Sequence, residues 1–143
     1  MQTEWIYPVT LDEEDGEFVA SSVDLPEALA GGSSPEAALA EMQHALVAAV
    51  RGRIKDESDL EPPRQAEGDG YRVALPSRLA VKAFIYHAWK ASGMTKAALG
   101  RAMDREDMEV RRILDPDHGT KLDQMEAAAK ALGGRLAVSF VSA

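Results

Sequence analysis

The chain has 143 residues, with 16 Lys+Arg against 24 Asp+Glu, a formal net charge of −8 and 45% apolar residues. That is the size of one ordinary soluble domain or two small ones. It has no cysteine and three histidines, His44, His87 and His118, which excludes disulfides, thiolate metal sites and cysteine nucleophiles.

No stretch reaches the roughly 18 to 20 apolar residues of a membrane helix, and Glu4 stands where a signal peptide needs positive charge. The expectation is a cytoplasmic, unprocessed protein with no membrane partner. The average charge hides a division: residues 1–70 carry 16 acids and 4 bases, net −12, whereas residues 71–143 carry 8 acids and 12 bases, net +4. The acidic half repels phosphate and suits a basic partner, while the basic half can gain counterion-release affinity for nucleic acid.

Trp5, Tyr7, Val9 and Leu11 alternate with Ile6, Pro8 and Thr10, the period of a strand. Asp12-Glu13-Glu14-Asp15-Gly16 predicts a turn, Phe18 to Val23 the second arm of a hairpin, and Ala28 to Gly31 a short third strand. Ser34 is the expected N-cap of a helix with Pro35 at its first position and Glu36 at the positive end of its dipole. Leu39, Met42, Leu46 and Val50 form the stripe that covers the sheet, which turns His44 to solvent.

Residues 56–70 are polar, rich in Pro and Gly and aperiodic, and predict a linker. Tyr71, Val73 and Leu75 alternate with Arg72 and Ala74, so a further strand can rejoin the first sheet, which leaves the boundary open between 70 and 76. The division is thus residues 1–70 and residues 71–143.

The second half reads as short helices. Ala80, Phe84, Ala88 and Ala91 give the first an apolar face, shared by His87 as a packing residue, and Ser92-Gly93 ends it. Thr95 caps a helix over 96–103, Asp104 fills a break, and a helix over 106–114 turns Val110, Ile113 and Leu114 inward. A helix over 121–132 buries Leu122, Met125, Ala129 and Leu132. Leu136, Val138 and Phe140 alternate after Gly133-Gly134, a lone strand that predicts pairing with its copy in a second subunit or docking elsewhere.

Residues 95–114 resemble the helix-turn-helix of lambda-repressor-like domains. Gly100 is small where the helices cross, and Asp104 tolerates the left-handed turn where the pattern has glycine. In such domains the second helix reads bases in the major groove while flanking groups hold phosphates. Asp107, Met108, Arg111 and Arg112 are the candidates for the first task. Thr95, Lys96, Arg105, His118, Thr120 and Lys121 are candidates for the second. Glu106, Asp107 and Glu109 place three acids at the helix entry, where they oppose phosphate but favour the dipole.

Both halves together resemble long-form HicB antitoxins. The resemblance is carried by Tyr7-Pro8-Val9, Asp15-Gly16, Phe18-Val19, the run Asp24 to Leu29, and Gly32-Ser33-Ser34 with Glu36 to Leu39. In the second half it rests on Val73 to Pro76, Lys82, the two short helices, the run Leu114 to His118, Leu122-Asp123-Gln124 and Ala131-Leu132-Gly133. It implies an α+β fold: an antiparallel three-stranded sheet with one packed helix, a degraded RNase H-like unit, then an all-α helix-turn-helix domain with a terminal strand. The implied function is not enzymatic. The first half would block a small basic HicA-like toxin ribonuclease and the second would bind operator DNA, as a homodimer or higher oligomer, with no cofactor.

The acids Asp12, Glu14, Asp24 and Glu27, at strand ends, are the candidate toxin contacts, and Leu136, Val138 and Phe140 the candidate dimerisation residues. Two other functions remain open: a nuclease using Asp12, Asp15, Asp24 and Glu36 as metal ligands, and a stand-alone regulator whose first half binds a ligand or protein.

Overall fold

Asp15 and Gly16 both take positive φ, 50° and 80°, the backbone of a two-residue hairpin turn whose twist matches the strands it joins. Around it β1 (Ile6–Glu14) and β2 (Glu17–Ser21) pair antiparallel, from Thr10 opposite Ser21 to Glu14 opposite Glu17. The acidic turn expected over 12–16 therefore shrinks to two residues. Asp12, Glu13 and Glu14 belong to β1, because only two positions need positive φ and the remaining backbone gains ladder hydrogen bonds. The structure is a computed structural model that describes residues 4–65 and 70–142.

β3 (Leu29–Gly32) pairs with β2, and β4 (Tyr71–Ala74) pairs with the far edge of β1, Tyr7 opposite Val73. The sheet is thus four-stranded in the order β3-β2-β1-β4, not three-stranded. The optional strand after the polar segment forms because it satisfies the open edge of β1.

α1 (Pro35–Lys55) starts where Ser34 Oγ accepts from Ala37 N at 3.1 Å, with Pro35 in the first turn. It buries Ala38, Met42, Leu46, Ala49, Val50 and Ile54 against the sheet, leaving Leu39 half-buried and His44 exposed. A Cβ on Gly32 would lie 2.5 Å from Ala38 N, so the crossing of β3 and α1 requires glycine.

The predicted linker is mostly docked. Leu60 and Pro63 are buried, Tyr86 Oη donates to Ser58 O at 2.5 Å, and His87 Nδ1 lies 3.1 Å from Leu60 O. Its composition is polar, but two apolar residues suffice to anchor it; residues 66–69 lie outside the described residues.

α2 (Ser77–Ser92) buries Leu79, Lys82, Ala83, Ile85, Tyr86 and Trp89. The alanine face expected for it is secondary: Ala80, Phe84 and Ala88 are half-buried and Ala91 is exposed. The larger side chains hold more apolar area and set the rotation of the helix. Gly93 ends it at φ 71°.

Trp5 meets Phe84 edge-on, ring centroids 5.0 Å apart, and its Nε1 donates to Tyr7 Oη at 2.8 Å. Burial pushes the Tyr7 hydroxyl up to about 12. The apolar core therefore runs from the sheet through α1 into α2 without a break.

Three short helices follow, α3 (Lys96–Met103), α4 (Asp107–Leu114) and α5 (Leu122–Ala131). Val110, Ile113 and Leu114 face inward as expected. In α5, Met125, Ala128 and Ala129 are buried, but Leu122 turns outward instead of joining them. The expected terminal strand is not formed in the single chain: Leu136 is half-buried, while Val138 and Phe140 are 91% and 96% exposed. A strand requires a ladder partner, and the helices beside it offer none. Among the described residues no helix is long and apolar enough to cross a membrane.

Candidate functional site

Thr95 starts α3 by accepting from Ala98 N at 3.0 Å through Oγ1. Asp104 ends it in the left-handed region, φ 56° and ψ 50°, and Arg105 N closes the turn on Gly100 O at 2.8 Å. A Cβ on Gly100 would stand 2.9 Å from Arg105 O and 3.4 Å from Val110 Cγ2. The tight approach of α3 and α4 therefore depends on glycine at that position.

With Val110 and Ile113 inside, α4 presents Asp107, Met108, Arg111 and Arg112 to solvent. Of the three entry acids, Glu109 is paired with Arg105, Nε to Oε2 3.3 Å, while Glu106 and Asp107 remain exposed.

The candidate phosphate contacts divide. Lys121 is exposed at the start of α5 and His118 is half-buried beside it. Lys96 instead reaches back to Glu57 Oε1 at 3.0 Å and lies 5.8 Å from the Trp89 ring centre. Thr120 is 1% exposed, donates to Arg112 O at 3.1 Å and accepts from Lys82 Nζ at 2.6 Å. It is an internal post whose hydroxyl cannot reach a phosphate. Arg78, which sequence reasoning missed, has Nη1 3.9 Å from the Cβ position of Gly119, so α2 adds a cation to the 118–121 loop. Its only sequence signal was a base in the first turn of α2, and its neighbour is 41 positions away in the chain.

The acids of the sheet half divide likewise. Asp12 and Glu14 are exposed along β1, Asp12 opposite Val19 and Glu14 opposite Glu17. Asp24 Oδ1 accepts from Arg64 N at 3.1 Å, and Glu27 accepts both arms of Arg53. Hydrogen bonding by Arg53 lowers the Glu27 carboxyl below its usual range. Asp24 and Glu27 thus serve the fold. Asp12, Asp15, Asp24 and Glu36 do not converge, and among the described residues no three His, Asp or Glu side chains group as a metal site.

A third acid ties the two halves. Asp117, after α4, accepts from Arg51 Nε at 2.5 Å and pairs with Lys55, both on α1. These contacts, Arg51 foremost, hold its carboxyl down at about 2.

The family described as HicB-like antitoxin of bacterial toxin–antitoxin system matches residues 6–84. The chain is 31% identical over 136 residues to Antitoxin HicB of Escherichia coli K12, covering 94% of this chain and 99% of that one. It is 35% identical over 135 residues to Antitoxin HicB 1 of Photorhabdus laumondii, covering 94% and 86%. Antitoxin HicB 2 of the same organism is 32% identical over 130 residues, covering 91% and 92%.

Proposed function

Because the chain belongs to the HicB-like antitoxin family, we propose that its acidic sheet half docks on a basic HicA-like toxin ribonuclease and its basic half binds operator DNA. As a family member it is a non-enzymatic antitoxin of a toxin–antitoxin system. The finer reading has the toxin blocked sterically and the operon repressed by the same molecule. We read the sheet and α1 as the degraded RNase H-like unit, with β4 as its fourth strand, and α3, the Asp104 turn and α4 as a helix-turn-helix.

The observation that carries the reading is the α3–α4 crossing at Gly100. It turns Val110 and Ile113 inward and leaves one face of α4, with Met108, Arg111 and Arg112, open to a groove. Arg78, Arg105, His118 and Lys121 then flank that face as phosphate contacts. On the opposite half, Asp12 and Glu14 lie beside Glu13, Asp15 and Glu17, all exposed around one hairpin. Such a field steers and orients a basic partner. Leu136, Val138 and Phe140 supply the strand through which two copies pair, setting half-sites about 34 Å apart or a multiple of that.

The test is co-expression of the full chain with a short basic protein encoded beside its gene, scored by growth rescue and co-purification. A fragment ending at residue 70 is unsuitable, because it would lose β4 and the Phe84 contact of Trp5. Rescue that is lost in Asp12→Asn with Glu14→Gln supports the reading. A neighbour that is neither toxic nor bound leaves a stand-alone regulator.

A further inference from the structure

Lys82 is 2% exposed, and its Nζ donates to Arg112 O at 2.8 Å, Ile113 O at 2.8 Å and Thr120 Oγ1 at 2.6 Å. An ammonium has three donors, so all are used, and every partner is a neutral oxygen. Two of those oxygens are carbonyls of the last turn of α4, Arg112 O also accepting from the C-cap Asp115 N at 3.2 Å, and there a cation meets the negative end of the helix dipole. The third belongs to the loop leading into α5. Thr120 Oγ1 donates to Arg112 O, and His118 Nδ1 lies 2.9 Å from Thr120 Oγ1. One buried cation thus joins α2, the end of α4 and the 118–121 loop.

We propose that Lys82 is a positioning residue for the operator-binding face: its charged form locks the end of α4 that carries Arg111 and Arg112, so DNA binding is linked to its protonation. The inference rests on the helix-turn-helix reading given above.

Burial pulls Lys82 down to about 8, with Asp115 raising it and Arg78 lowering it in smaller measure. The other charged groups nearby in the chain are Arg112 on α4 and His118 and Lys121 on the loop. The charged residues of α5 are all exposed, and Arg51 and Lys55 of α1 are held by Asp117. Near pH 8 an adjacent polyanion favours the charged amine, so binding takes up a proton and affinity falls as pH rises. Folding has the opposite sign. The folded value lies below the ordinary lysine value of 10.5, so the unfolded chain binds more protons between about 8 and 10.5 and stability rises over that window.

The experiment is fluorescence anisotropy of the full chain on a labelled duplex spanning the region upstream of its own gene, from about pH 7 to about pH 9.5, with urea melts alongside. Wild type should lose roughly fivefold to tenfold in affinity while gaining stability. Lys82→Met should bind about tenfold more weakly at pH 7 and show a flat profile. Should Lys82→Met not fold, Thr120→Val keeps the amine, removes one of its acceptors and should move the fall in affinity to lower pH. A flat wild-type profile, or the wild-type slope retained in a folded Lys82→Met, overturns this inference alone. No binding by wild type at pH 7 overturns the operator reading and carries this inference with it.

Discussion

Glu27, in the loop before β3, receives both arms of the Arg53 guanidinium on α1, Nε to Oε2 at 2.7 Å and Nη2 to Oε1 at 2.8 Å. A bidentate pair fixes direction as well as distance. Arg53 Nη1 also donates to Asp59 O at 3.3 Å, so one side chain ties the sheet's closing loop, its covering helix and the segment after it. Arg53→Met should cost about 1 kcal/mol, a figure kept small because the pair is partly solvated. The Glu27 carboxyl is depressed, so this contribution is present above the ordinary glutamate value of 4.5 and lost as pH falls through the folded value. Urea melts of both proteins at neutral and acid pH should differ, then converge.

Asp104→Gly should stabilise the chain. Asp104 sits at φ 56°, where a Cβ is unfavourable and glycine is not. A gain of roughly 0.5–1 kcal/mol in urea unfolding is expected, with DNA binding intact.

Gly100→Ala should do the reverse. The new methyl would meet Arg105 O at 2.9 Å, a backbone atom that cannot move without shifting the turn. A loss of about 1–3 kcal/mol is expected, together with weaker operator binding and retained toxin neutralisation. Unchanged stability would mean that α3 and α4 do not cross as closely as the structure has them.

Arg111→Ala with Arg112→Ala should abolish operator binding and spare neutralisation. The wild-type affinity should fall with salt at a log–log slope of about −0.9 per phosphate neutralised. Loss of both activities would show that the halves do not act separately, a point sharpened by the Asp117 bridge to Arg51 and Lys55.

Removing residues 136–143 should lower the oligomeric state on sizing. Val138 and Phe140 are almost wholly exposed in the single chain, and a second strand beside them would satisfy both the ladder and the apolar side chains. A dimer of unchanged size would assign subunit contact to another surface.

Local chemistry was legible in the residues alone. Ser34, Thr95 and Gly93 mark helix ends because a short side-chain oxygen or a missing Cβ acts on its own backbone. Asp104 at the left-handed break and Gly100 at the crossing follow from the same kind of rule. The family was readable too, from the order of motifs along most of the chain.

What only the tertiary structure decided is which groups meet across the chain. Asp24 and Glu27 read as surface acids, yet Arg64 and Arg53 claim them; Thr120 read as a phosphate contact, yet Lys82 and Arg112 enclose it. Periodicity reports which residues share a face and is silent on what that face meets. So the docking of 56–65 on α2, the fourth strand on β1, and the buried Lys82 beneath α4 were fixed by long-range packing, where burial selects partners that sequence spacing cannot order.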